Sequence, residues 1–239
     1  MALTMRAMTW NLESHANPRF NPGSVANVMN NQDADLMGLQ EVCRLTMEDL
    51  VKRLYGAGWA SRGRGRGQIY RYHGATIPSV NCPVTGVSAF GNAIVSRLPL
   101  TNLTTRELPF WNEKRLIMGV DVGGLGVPVR AYCTHFSPGS LENGVDQVSP
   151  AAEFTDLDKG HKITFADFNY RPGNATVRSE FYGRFTEVDN PANQRPTHGT
   201  SKIDYVFVSK PGIQPSAASV PNARGASDHN PLWADLEVT

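Results

Sequence analysis

The chain has 239 residues, 40% of them hydrophobic and 19% charged, with a net charge of +1. This is the profile of a globular chain with a core of its own, not of a fibrous or disordered one. No apolar run approaches the ~20 residues that cross a bilayer, and Met1–Met8 lacks the apolar stretch of a secretion signal.

In chain order, Met5–Leu12 reads as a strand. Asn21-Pro22-Gly23-Ser24 reads as a helix start, with the helix running to about Asn31. Ala34–Gln40 is a buried strand. Leu45–Tyr55 is an amphipathic helix with Leu50, Val51 and Leu54 at helical spacing, stopped by Gly56. Asn92–Arg97, Arg115–Val122, Val129–His135, Lys162–Ala166, Ile203–Ser209 and Leu232–Val238 are strands rich in β-branched and apolar residues. Weaker helical patterns cover 144–157 and 174–182, and 61–91 and 136–161 read as long loops, a length usually tied to function or disorder. Strands outnumber helices, and hairpin-length gaps alternate with helix-length ones. The expected class is α/β with mixed sheets, in one domain spanning residues 1–239.

The near-neutral net charge hides an asymmetry. From Leu50 to Arg106 there is no acidic residue, and the span carries eight cations: Lys52, Arg53, Arg62, Arg64, Arg66, Arg71, Arg97 and Arg106. The rest of the chain holds 15 basic and 22 acidic residues, a net of −7. Arg62, Arg64 and Arg66 alternate with glycines and precede Tyr70 and Tyr72, a pattern suited to tracking a phosphate backbone or to a solvated basic loop. Of the three cysteines, Cys133 reads as a buried thiol, and the absence of any C-x-x-C argues against a cysteine zinc site. Cys43 and Cys82 lie in polar, loop-like contexts; a disulfide between them would imply an exported protein whose leader is not in this sequence, whereas without it a cytoplasmic location stands equally.

Polar residues of ligand type recur at strand ends: Thr9-Trp10-Asn11, Leu39-Gln40-Glu41, Thr134-His135-Phe136, Asp167-Phe168-Asn169, Ile203-Asp204-Tyr205 and Ser227-Asp228-His229. Carboxylates and carboxamides dominate, a hard-oxygen set that favours Mg²⁺, Mn²⁺ or Ca²⁺ over zinc, and histidines beside it offer proton transfer near neutral pH. No Ser or Cys nucleophile motif appears. Trp10 reads as core, and His15, His73, His161 and His198 as surface or turn residues.

These six motifs, in this order and across nearly the whole chain, resemble the endonuclease/exonuclease/phosphatase superfamily, the fold of deoxyribonuclease I. The resemblance implies a four-layer α/β sandwich of two packed mixed sheets flanked by helices, and a monomeric hydrolase using Mg²⁺ or Mn²⁺, with Ca²⁺ as a further candidate. Carried over by position, Asn11, Glu41 and Asp228 are expected on the metal side. His229 is expected to pair with Asp204, Asp167 to orient or deprotonate the attacking water, Asn169 to donate to the phosphate, and His135 to act as acid or phosphate contact. Arg115 is expected at the phosphate, with Lys114 and Arg106 as competitors, and Thr197 to help orient the site. Ala166 stands where the family usually has Gly before the Asp-x-Asn motif, a difference that matters only if that position needs positive φ.

The resemblance fixes phosphoester hydrolysis and leaves the substrate open. The cationic span, with Arg62, Arg64 and Arg66 as backbone contacts, favours DNA and a non-sequence-specific endonuclease. Phosphoinositide or sphingomyelin hydrolysis is the alternative, and a non-catalytic nucleic-acid-binding module ranks lower because Glu41 and Asp228-His229 are all present.

Overall fold

Strand periodicity builds the architecture. The computed structural model describes residues 2–189 and 195–239. On β1 (Leu3–Asn11), Met5 and Ala7 pack into a core between two sheets, while Met8 and Trp10 face the opposite way into a core under helices. β2 (Leu36–Cys43) repeats this, with Leu36 inward and Met37 and Leu39 outward. Both faces of the central strands are buried, so they read in the sequence as continuous apolar runs.

The first six-stranded sheet has the order β11 (Ile213–Ser219), β12 (Leu232–Val238), β1, β2, β4 (Gly86–Ser96), β3 (Tyr70–Cys82). The second has the order β5 (Leu100–Leu108), β6 (Arg115–Val122), β7 (Val129–His135), β8 (His161–Asp167), β10 (Asp204–Ser209), β9 (Phe185–Glu187). The β1–β2 and β7–β8 pairs are parallel and the other neighbours antiparallel, so both sheets are mixed.

Helices α1 (Pro22–Gln32) and α2 (Arg44–Gly56) cover the first sheet. The Asn21 side chain caps α1 by accepting from the amides of Gly23 and Ser24, with Pro22 at its first turn. Helix α3 (Val148–Asp156) and the short turns from Ala175 to Tyr182 cover the second sheet through an aromatic cluster of Phe136, Phe168, Phe181, Tyr205 and Phe207. The result is the four-layer sandwich of two sheets flanked by helices.

Residues 61–91 are not one long loop, because β3 and half of β4 lie within them. They meet in a hairpin whose tip is tied to the end of β2 by a Cys43–Cys82 disulfide, the pairing considered from the sequence. Ala166 sits inside β8 with no positive φ, so the missing glycine has no backbone consequence there.

The two sheets approach most closely at Gly38, where an added Cβ would lie 2.2 Å from the Cβ of Phe165. Neither atom can swing away, since both are fixed to strand backbones. Gly38→Ala is therefore expected to destabilise the fold by about 3 kcal/mol, read from the shift in urea midpoint at unchanged m-value.

Candidate active site

Four of the residues selected from the sequence reach one mouth because they share the inward parity of their strands. Asn11 continues the Met5, Ala7 series; His135 the Ala131, Cys133 series; and Asp167 the Ile163, Phe165 series, while Asp204 begins the series of Val206 and Val208. Register then sets His135 beside Asp167 and Asp167 beside Asp204. Glu41 has the wrong parity for this mouth. A bulge between Leu39 and Val42, with Glu41 held at φ +52°, turns its carboxylate in, where the Asn11 amide donates to it at 3.1 Å. Positive φ recurs at Glu13 and Asn169, so three of the non-glycine residues in the left-handed region lie at this mouth.

His229 and Asp204 form a buried pair, with Nδ1 donating to the carboxylate at 2.8 Å. Burial alone would push the imidazole down, but the charge and hydrogen bond of Asp204 override it, with help from Asp167 and Asp228, and hold His229 up at about 10. The backbone around the pair is fixed on both sides. Trp10 Nε1 donates to the His229 carbonyl at 2.9 Å, Ser227 Oγ donates to the Asn11 carbonyl at 2.8 Å, and Thr197 Oγ1 accepts from the amides of Ile203 and Asp204. Thr197 thus orients Asp204 rather than touching the mouth.

His135 is the opposite case. Buried, and facing the charges of Arg115 and His229, it is held well below the usual histidine value and is neutral at pH 7. Arg115 Nη1 lies 3.1 Å from His135 Nδ1, and a guanidinium can only donate, so Nδ1 accepts. Nε2 lies 3.0 Å from Asn169 Nδ2, which also donates to the Phe136 carbonyl at 2.9 Å, and 3.5 Å from Asp167 Oδ2. Arg115 therefore acts behind His135, anchored also to Ser137 and Glu113. Its competitors are engaged elsewhere, Lys114 with Glu107 and Arg106 with Glu153.

Asp167 stands at the convergence. Its Oδ2 accepts from Asn11 at 2.9 Å and lies 3.5 Å from His135 Nε2 and 3.8 Å from His229 Nε2. Burial, then the neighbouring Asp204 charge, raises its carboxyl from the ordinary aspartate value towards neutrality.

The oxygens on the other side fit a hard cation. Glu41 and Asp228 offer carboxylates, and burial, then the charges of Asp228 and Glu41, raises the nearby Glu13 carboxyl. The Asn11 oxygen is taken by the Glu13 amide at 3.0 Å, which orients the side chain. Glu13, two residues after Asn11 in the same motif, was not selected from the sequence. Nor was His198, read there as a surface residue, whose ring lies against His229 with centroids 4.5 Å apart. The other unassigned histidines are structural. His15 meets the Asn81 carbonyl, half-buried His73 meets that of Val42, and His161 packs at Gly212.

Arg62, Arg64 and Arg66 lie away from this mouth. Their loop folds back against the far end of β1, where Arg64 donates to the Thr4 carbonyl at 2.7 Å, seven residues or about 23 Å along the strand from Asn11. Arg62 is held by Asn30 and Asp33, and Arg66 is exposed on the same loop. The glycines serve compaction: a Cβ at Gly65 would lie 2.0 Å from the Ala60 carbonyl oxygen. Tyr70 and Tyr72 pack on the core between the sheets. The charge asymmetry disappears in space as well, since Asp33 and Asp35 pair with Arg97, and Glu48 with Arg71.

The sequence profile of the endonuclease/exonuclease/phosphatase family matches residues 8–229. The chain belongs to this family. The family is one of hydrolytic phosphoesterases. No curated protein matches this family member. The solved structures that resemble it include the following three. An endonuclease/exonuclease/phosphatase family protein from Bacteroides thetaiotaomicron is 14% identical, with TM-score 0.77 over 100% of this chain and 99% of its own. The human Nocturnin catalytic domain, with a bound sulfate anion, is 17% identical, with TM-score 0.74 over 99% of this chain and 94% of its own. A mannosyl-6-phosphatase of the Bacteroides species is 14% identical, with TM-score 0.73 over 97% of this chain and 99% of its own. At these identities the likeness concerns the fold.

Proposed function

We propose that this family member is a divalent-cation-dependent phosphodiester hydrolase whose leading substrate is the DNA backbone. The observation that carries hydrolysis is the single oxygen Asp167 Oδ2, within 4 Å of one imidazole kept charged and one kept neutral. Environments that push two like groups apart in this way assign their roles. Asp167, raised towards neutrality, takes the proton of the attacking water. His229, cationic, gives its Nε2–H to a non-bridging phosphate oxygen. His135, neutral, and the Asn169 amide contact the phosphate without adding charge. Mg²⁺ or Mn²⁺ held by Glu41 with Asn11 and Asp228 supplies polarisation of the phosphate.

A polymeric diester is favoured by the openness of the rim, where the Asp228 side chain is 46% exposed. Exposed Phe110 and Trp111, just ahead of Arg115, add surfaces on which bases stack at about 1–3 kcal/mol each. The same two rings also suit a lipid substrate, so phosphoinositides and sphingomyelin stay in the test. The disulfide supports an oxidising compartment and hence export, and no helix among the described residues is long and apolar enough to cross a membrane.

The deciding experiment sets plasmid, single-stranded DNA, RNA, a sugar phosphate, phosphoinositide and sphingomyelin against the protein with Mg²⁺, Mn²⁺ or EDTA. Metal-dependent plasmid nicking supports the nuclease. Phosphate release from the sugar phosphate without nicking overturns it while leaving the phosphoesterase. Replacing Arg62, Arg64 and Arg66 together by Ala is expected to leave the nicking rate and its salt dependence unchanged; a flattened salt slope would return that loop to the substrate path.

A further inference from the structure

We propose that His198, Asp228 and His229 form an inhibitory zinc site at the rim of the hydrolytic centre. The three side chains each aim one ligand atom at a common point, and these atoms lie within 4.8 Å of one another. His198 Nε2 is 3.3 Å from Asp228 Oδ2, and His229 Nε2 is 3.9 Å from Asp228 Oδ1. A tetrahedral zinc with bonds of about 2.0–2.1 Å holds its ligand atoms roughly 3.3 Å apart, so one edge is already formed. The rest needs closures of up to about 1.5 Å, available because the side chains of His198 and Asp228 are 44% and 46% exposed.

The backbone presenting His198 is built rather than loose. His198 and Ser201 exchange hydrogen bonds of 3.0 and 2.8 Å across a tight turn, and the Thr197 carbonyl accepts from the Asn230 amide at 2.7 Å, locking that turn to the segment that carries Asp228 and His229. His229 has the support typical of a zinc-bound imidazole: its Nδ1 donates to a buried carboxylate, and zinc takes Nε2 by displacing its proton to solvent. Two imidazole nitrogens and one carboxylate suit zinc, whereas the carboxylates of Glu41 and Asp228 proposed for the hydrolytic cation suit magnesium. The two cations therefore separate by donor type, and they share only Asp228. The consequence rests on the hydrolytic reading above: zinc at this point withdraws from hydrolysis both the Nε2 of His229 and the carboxylate of Asp228.

The experiment uses the full chain, stripped with EDTA and returned to excess Mg²⁺, titrated with zinc against a chromophoric chelator. Wild type is expected to bind one zinc at this site and H198Q to bind it at least tenfold more weakly, with zinc-induced shifts of the His198 and His229 ring signals in wild type only. The zinc concentration that halves hydrolysis, each protein normalised to its own Mg²⁺-only rate, is expected to rise by the same factor. Equal zinc affinity in wild type and H198Q overturns the site. Weaker binding in H198Q with an unmoved inhibition midpoint overturns its inhibitory role. If no substrate is hydrolysed, the proposed function fails, while the titration and ring signals still decide whether zinc is held here.

Discussion

Replacing His229 by Ala is expected to lower kcat of the metal-dependent reaction by about a hundred- to ten-thousandfold, the usual worth of a positioned proton donor or acceptor. The protein should remain folded, since His229 lies in a connecting segment anchored by Ser227 and Trp10 through backbone atoms and the Ser227 hydroxyl. Asp204→Asn is the more discriminating variant. It keeps a partner for Nδ1 but removes the charge that holds His229 at about 10. In wild type the loss of this proton sets the alkaline limb of the pH profile near that value. In Asp204→Asn the limb is expected to move down by more than one pH unit. An unmoved limb would show that another group titrates there. The pair also links stability to pH. His229 is raised above its unfolded value of about 6.5, so its contribution is complete below that pH and is lost as pH rises through about 10.

Removing the Cys43–Cys82 disulfide is the second large effect. The bridge closes a span of 39 residues, which in the chain-entropy view restricts the unfolded state by about 4 kcal/mol. For a chain of this size that corresponds to roughly 8–16 °C in Tm. Thermal unfolding of Cys43→Ser/Cys82→Ser against the oxidised wild type measures it, and a change under 2 °C would show that the bridge closes a loop already ordered in the unfolded chain. Cys133 will not confuse the result. Full burial pushes its thiol up to about 12, so it takes no part in exchange at neutral pH.

Which strands were legible has a physical pattern. The strands β1, β2, β6, β7, β8 and β10 were readable because both of their faces are largely buried and their apolar runs are dense, and β12 because its apolar and polar residues alternate. The four strands absent from the sequence reading, β3, β5, β9 and β11, are the four edges of the two sheets. Edges carry polar, exposed residues and tolerate proline: Leu100–Leu108 is largely exposed and threonine-rich, and Pro78 and Pro215 lie in β3 and β11. The candidate residues at strand ends were legible because a period of two fixes which face they take. Glu13 and His198 were not, since a left-handed residue and a cross-segment turn aim them. The packing of the arginine loop was not legible for a different reason. Charge counted along a chain says nothing of which acidic residues will fold against it, and Asp33 and Asp35 do so here.

The bulge that aims Glu41 sets function against durability. A left-handed backbone is easy for glycine or asparagine and costs a glutamate about 1–3 kcal/mol, so the fold would tolerate almost any αL-friendly residue at this position better than the one it has. Selection for heat resistance alone would therefore tend to erase the metal-side carboxylate, and a thermostable variant of this chain should be sequenced at position 41 before its activity is trusted.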